Sequence, residues 1–269
     1  MTANFPKILY HYTTSSVLFS IVKHRSIWLC SRWHLNDYEE GDVFNRFIHT
    51  IAAKKDFTAE RAKEVAVVLE SGDFFVNCLT SSRDTLSQWR GYAANGAGVC
   101  IGFDVNVLVE ILKGQSEMLL YPVNYADSYP DLSMEAQGLI QKMLISSGTP
   151  SGVFLQSVLK ERWSVKGKAF AEEAEYRLIL TPASDSGGFS GHKPIALNLD
   201  VKAELKFRAT ETGIRDYYEM SFPAALMSRL IREITLGPRN DSNEQVLRRM
   251  LCEEGLTTTQ VDRSTASYR

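Results

Sequence analysis

Residues 9–31 read LYHYTTSSVLFSIVKHRSIWLCS, and the fold class turns on whether this pattern recurs along the chain. Its apolar, β-branched start predicts a strand over residues 7–12. The spacing of Val17, Leu18, Ile21 and Val22 then predicts a helix over 15–25, with a serine cap in front. Residues 27–30 predict a second strand. Regular repetition of this strand–helix–strand unit would build a doubly wound parallel sheet.

The rest of the chain does not repeat it. Two helical periods come next, one carrying Val43, Phe44, Phe47, Ile48 and Ile51, the other running from a Thr58 cap to Leu69. A strand over 74–80 leads to a helix capped by Asp84, carrying Leu86, Trp89 and Tyr92 and stopped at Asn95-Gly96. After a strand over 99–103, Asp104 caps a helix that Gly114 ends. An extended run over 118–125, helices over 133–144 and 152–163, and a strand over 175–181 come after it. SDSGGFSGHK reads as a flexible hairpin loop. Strands over 195–199, 217–222 and 233–236, a helix over 243–253 and a short strand over 257–261 finish the chain. Irregular alternation without an internal repeat or linker predicts one mixed α+β domain spanning residues 1–269.

Composition narrows the function classes. Apolar residues at 44% and charged ones at 23% are globular values and argue against disorder. Lys+Arg 30 against Asp+Glu 32 leaves a net charge of -2, so no global positive field marks a nucleic-acid partner. Lys54-Lys55 and Arg248-Arg249 read as solvated helix faces. The four cysteines, Cys30, Cys78, Cys100 and Cys252, form no C-x-x-C pair and read as reduced thiols. The start lacks a signal-peptide pattern and no apolar run is long enough for a transmembrane helix. A cytoplasmic protein without a membrane partner is expected. The histidines lack metal-ligand spacing, and no phosphate-binding loop, H-E-x-x-H or nucleophile elbow is present.

Four segments could carry chemistry. On a strand, His11 and Thr13 point to one face and Tyr12 to the other. They either offer two hydrogen-bonding groups to a ligand or form a backbone-bonded histidine beside a helix cap. In KGKAFAEEAEYRLIL, Glu173, Glu175 and Arg177 share a face if the strand begins early enough. That face either meets water at a sheet edge or lines a polar cleft, where paired carboxylates can stabilise an oxocarbenium-like sugar. DTLSQWRGYAANGAGVCIGFD holds glycines, but not as G-x-G-x-x-G after a strand, so a dinucleotide fingerprint is rejected. In LNDYEE, Asn36, Asp37 and Glu40 make an Asx turn or touch a ligand.

These blocks in this order, with REITLGPR and the terminal STASYR, resemble a bacterial family known as domain of unknown function 2971, over about Ile8 to Arg269. The opening L-Y-H-Y-T is more distantly similar to the first strand of ADP-ribosyltransferases, among them DNA-modifying toxins. That resemblance implies a split β-sheet core with helices inserted between strands, and NAD as substrate without a metal. It assigns cofactor binding to His11, Tyr12 and Thr13 and catalysis to Glu175, with Glu173 completing an E-x-E pair. Arg177 would orient the carboxylates or a phosphate, and Trp28, Trp33, Trp89 or Tyr92 would stack on nicotinamide. The implied activity is transfer of ADP-ribose to a nucleic-acid or protein acceptor, as in a toxin or phage-defence effector.

Two rivals remain. A non-catalytic nucleotide- or protein-binding module of the same fold predicts Glu175 salt-bridged to Arg177 or Lys168, with no open pocket beside His11. A nuclease would need Asp37, Glu40 and Glu175 to gather around Mg²⁺. The transferase reading predicts a hydrophobic pocket bringing His11 within about 10 Å of Glu175.

Overall fold

The computed structural model describes residues 5–34, 42–70, 73–146, 152–182 and 193–267. The SDSGGFSGHK loop before Lys193, together with Asn36, Asp37 and Glu40, lies outside them. In chain order the strands are β1 (Ile8–Thr13), β2 (Ser26–Ser31), β3 (Phe75–Thr80), β4 (Val99–Asp104), β5 (Met118–Pro122), β6 (Asn124–Tyr125), β7 (Val165–Lys166), β8 (Glu175–Leu180), β9 (Ile195–Ala196), β10 (Lys202–Thr210), β11 (Gly213–Ser221), β12 (Ile231–Leu236) and β13 (Gln260–Arg263). The α-helices are α1 (Ser15–His24), α2 (Asp42–Lys54), α3 (Ala59–Glu70), α4 (Leu86–Tyr92), α5 (Val105–Leu112), α6 (Met134–Ile145), α7 (Gly152–Arg162), α8 (Ala224–Leu230) and α9 (Glu244–Glu253).

Eleven of these strands join one sheet, along the path β13-β12-β4-β1-β3-β2-β11-β10-β9, with β8 and β5 branching from β3. All its pairings are antiparallel except β12 with β13, so the mixed α+β class is observed. β3 is the branch point. One edge pairs with β8 along its whole length, from Phe75↔Leu180 to Thr80↔Glu175. The other edge is shared: β1 holds only Tyr10↔Thr80, and β2 only Cys30↔Val76 and Ser31↔Phe75. Between those contacts the sheet parts.

The parting follows from the first stretch of sequence. α1 sits between β1 and β2 and anchors both through Leu18, Ile21 and Val22, which are buried. Its cap is Thr14 rather than the expected serine; the Thr14 side chain accepts from Val17 N at 3.2 Å. Arg25 turns the chain out of the helix with φ 53°. Each sheet face is packed. One carries Leu9, Leu29, Phe75, Ile101 and Met220 under α1, α5, α8 and α9; the other carries Val76 and Ile179 under α2, α3, α6 and α7.

Several expectations need correction. β8 is not a solvated edge strand, because it lies between β3 and β5. Asp84 does not cap α4; Thr85 stands at that position and Asp84 bonds elsewhere. The sequence reading also missed β10 and α8.

Candidate functional site

A cleft of about 560 Å³ opens where β1 and β2 part along β3. That volume suits a small-molecule ligand. Since the backbone groups in the middle of β3 face the gap, side chains supply partners for its neighbours. The His11 ring Nδ1 lies 3.0 Å from the Cys78 carbonyl, and Asn77 Nδ2 donates to the Trp28 carbonyl at 3.0 Å. A carbonyl only accepts, so Nδ1 carries the proton and Nε2 keeps its lone pair. Burial pushes the His11 pKa below its usual value, opposed by the bond to Cys78. The neutral form is therefore favoured.

β8 brings Glu175 to the cleft, across from Thr80 on β3. Glu173 arrives by another route. A 3-10 turn over Lys168–Glu173 ends at Ala174, whose φ of 44° reverses the chain before the strand begins. Thr80 Oγ1 pins that turn by donating to the Glu173 carbonyl at 2.6 Å. Strand alternation thus places Glu175 and Arg177 on one face but does not account for Glu173. Both carboxylates nonetheless meet at Lys166, delivered by the small β6–β7 pair. Lys166 Nζ lies 2.7 Å from Glu173 Oε2 and 3.4 Å from Glu175 Oε2.

Beneath them Arg177, 0% exposed, grips Glu175 in a fork: Nε to Oε1 at 2.8 Å and Nη2 to Oε2 at 3.1 Å. Its Nη1 donates to the Trp163 carbonyl at 2.7 Å. Burial alone would raise the Glu175 carboxyl pKa. The Arg177 charge and hydrogen bonds, the Lys166 charge and a bond with the Cys78 side chain more than offset this and hold it below the usual carboxylate range. The Tyr125 hydroxyl accepts from Glu175 N at 2.8 Å, and burial pushes its pKa up to about 12. Tyr92 donates to Glu173 Oε1 at 2.7 Å; burial and that carboxylate drive its pKa upward.

The opposite wall comes from β2 and the β10–β11 hairpin: Trp28, Cys30, Arg208 and Arg215. One wall carries carboxylates paired with Lys166 and Arg177, the other two arginines.

Of the residues singled out from sequence, His11, Tyr12, Tyr92, Glu173 and Glu175 line the cleft. Tyr12 also holds the frame, donating to the Ser82 carbonyl at 3.0 Å and accepting from Thr85 N at 3.1 Å. Four do not reach the lining. Thr13 is buried, and its carbonyl lies against Gly98. Trp89 is 0% exposed, edge-on to Tyr12 at 4.8 Å, so it offers no face for stacking. Arg177 lies under Glu175 and can orient that carboxylate but not a ligand phosphate. Trp33 is exposed beneath Arg32, away from the lining. Trp28 lines the cleft, its ring tilted against Tyr217 with centroids 4.3 Å apart.

The binding-module forecast is met in one part and not in the other. Glu175 is salt-bridged, to Arg177 and Lys166 rather than Lys168, which pairs with Asp131 at 2.8 Å. Yet the cleft beside His11 is there. Sequence reading missed Lys166, although it stands two residues before Lys168. It also missed Arg208 and Arg215, which no apolar period flanks.

Among the described residues no group of three or more His, Cys, Asp or Glu is gathered for a metal. None of their helices is long and apolar enough to cross a membrane. No curated protein and no solved structure matches the chain. A family model described as "Protein of unknown function (DUF2971)" matches residues 88–178. The stretch similar to that family carries Tyr92, Lys166, Glu173 and Glu175, and leaves β1, β2 and the β10–β11 hairpin outside.

Proposed function

We propose that the cleft takes NAD and that the protein is an ADP-ribosyltransferase-like enzyme acting on a nucleic-acid or protein acceptor, in keeping with a toxin or phage-defence effector. The observation that carries this reading is the convergence of His11 from β1 and Glu175 from β8, strands that do not pair, on one cleft at the parting of the sheet. NAD supplies an activated glycosidic bond: the C1′–N bond breaks with its electron pair passing to the nicotinamide nitrogen, and the acceptor nucleophile bonds C1′ and releases its proton.

The side chains suit those demands. Glu175 is ionised at neutral pH and bears its charge where positive charge develops on the ribose. His11 Nε2 accepts from a ribose hydroxyl. Glu173 is the second carboxylate, able to take the acceptor's proton. Tyr92 stands beside it, the cleft aromatic nearest the carboxylates by its bond to Glu173.

A non-catalytic binding module is the second reading, favoured by the Arg177 fork that occupies both Glu175 oxygens. Calorimetry of NAD binding, with nicotinamide release followed in the same samples, separates the two. Transferase chemistry predicts binding that His11→Ala weakens and release that Glu175→Gln removes while NAD still binds. Binding without release in the wild type, or release unchanged in Glu175→Gln, sinks it.

A further inference from the structure

We propose that Arg208 and Arg215 form a diphosphate-binding fork at the basic end of the cleft. The identity of the ligand as NAD rests on the transferase reading; the affinity for a diphosphate does not.

Arg208 and Arg215 are register partners on β10 and β11, so their side chains leave the same face side by side. Like charges placed directly opposite across a ladder repel, and folded proteins usually quench them with carboxylates. The same hairpin shows how: Lys206 Nζ lies 3.5 Å from Glu204 Oε2 and 3.7 Å from Glu219 Oε2. Neither arginine has a salt bridge among the described residues. Both line the cleft, on the wall facing Glu173 and Glu175. The repulsion is left for a bound anion to relieve.

The geometry limits which anion fits. Two planar guanidinium groups side by side offer two N–H forks, which match adjacent phosphoryl groups better than a single carboxylate. Arg208 is held over the Trp28 ring at 5.2 Å, and Trp28 is itself packed against Tyr217, so one fork is oriented before any ligand arrives. β11 pairs with β2 only from Tyr217 to Ser221, so residues 207–216 run past the sheet as a two-stranded ribbon. Diphosphate held at this end directs the remainder of a dinucleotide along the cleft toward the carboxylates.

The test is calorimetric titration of the full chain with inorganic pyrophosphate, ADP, NAD and the phosphate-free nicotinamide riboside. The proteins are wild type, R208A/R215A, R208K/R215K and His11→Ala, with thermal melting as a folding control. We expect R208A/R215A to weaken pyrophosphate and ADP by about ten-fold or more, with R208K/R215K between it and wild type. Binding to the wild type should weaken steeply with salt, and His11→Ala should leave pyrophosphate unaffected. Pyrophosphate bound through the arginines without NAD binding would support the fork and overturn the NAD reading. NAD bound equally by wild type and R208A/R215A would overturn the fork and leave the NAD reading standing. A wild type that binds no diphosphate ligand overturns both.

Discussion

Two stretches singled out in the sequence end in opposite roles. Residues 93–98, made of alanine and glycine around Asn95, meet residues 237–240 in a closed seam, whereas residues 173–177 open onto the cleft. In the seam, backbone packs on backbone: a Cβ on Gly98 would stand 2.1 Å from the Thr13 carbonyl oxygen, and one on Gly237 2.3 Å from that of Gly96. Asn240 Nδ2 donates to the carbonyls of Ala97 at 2.8 Å and Gly98 at 2.9 Å. Asp84 clamps the C-terminal STAS segment, accepting from Ser264 Oγ and Trp89 Nε1 at 2.6 Å each and from Thr265 N at 2.8 Å. Fixed partners use up these polar atoms, and no volume is left. In the cleft the carboxylates are held by side chains instead, and space remains in front of them. Polar residues mark a site only where their partners leave a ligand room.

The largest effect should come from closing that contrast at Gly98. Gly98→Ala drives a methyl into the Thr13 carbonyl, which cannot retreat without breaking the β1–β4 ladder it belongs to. We expect a loss of about 4 kcal/mol or more in urea unfolding, or failure to fold. A cost near zero would mean that the seam is not closed.

Arg177→Met breaks the other region. It leaves the buried Glu175 carboxylate with Lys166 as its main counter-charge, and should cost about 3 kcal/mol. The double variant Arg177→Met/Glu175→Gln should recover part of that loss, because the charge left stranded is then gone. Equal costs for single and double variants would show that the fork does not couple to Glu175.

The limits of the sequence follow the same contrast. Strands β1, β2, β3, β4, β8 and β12 and most helices were legible because each has a core-facing period. β10 was missed although KAELKFRAT alternates polar and apolar residues: two of the four apolar positions are alanines, and the strand leaves the core after Leu205, so Phe207 is exposed. α8 follows Pro223 and spans only Ala224–Leu230, too short for its period to stand out. In the cleft, His11 and Glu175 could be named by resemblance. Lys166 could not, because a two-residue strand pairing with Asn124–Tyr125 positions it, and that pairing spans about forty residues of sequence. The clamp role of Asp84 was hidden for a similar reason: its partners Ser264 and Thr265 lie at the far end of the chain.

Acid titration compares the two regions on one scale. Burial alone would raise the Asp84 pKa, but the hydrogen bonds from Ser264, Trp89 and Thr265 hold it below the usual range, as the ion pairs do for Glu175. A carboxyl with a lower pKa folded than unfolded binds more protons in the unfolded chain. Its stabilisation is present above the unfolded value of about 4 and is lost as pH falls through the folded value. Asp84→Asn should cost about 1–2 kcal/mol at pH 7 and flatten the decline in stability below about pH 5; Glu175→Gln should flatten it independently. An unchanged acid limb in both variants would remove these carboxyls from the acid response.

The smallest effect should have the opposite sign. Gly91 belongs to α4, the helix that joins the seam to the cleft through Trp89 and Tyr92, and a Cβ there would meet nothing within 4 Å. If close backbone approach is what makes Gly98 and Gly237 indispensable, a helical glycine without such a neighbour gains from a methyl group. Gly91→Ala removes backbone freedom from the unfolded chain and should stabilise the protein by about 0.5–1 kcal/mol in urea unfolding. On the proposed function NAD affinity should not change, since Tyr92 keeps its place beside Glu173. A destabilising Gly91→Ala would mean that α4 is pressed as tightly as the seam, and the division between a locked region and an open one would then begin beyond this helix rather than within it.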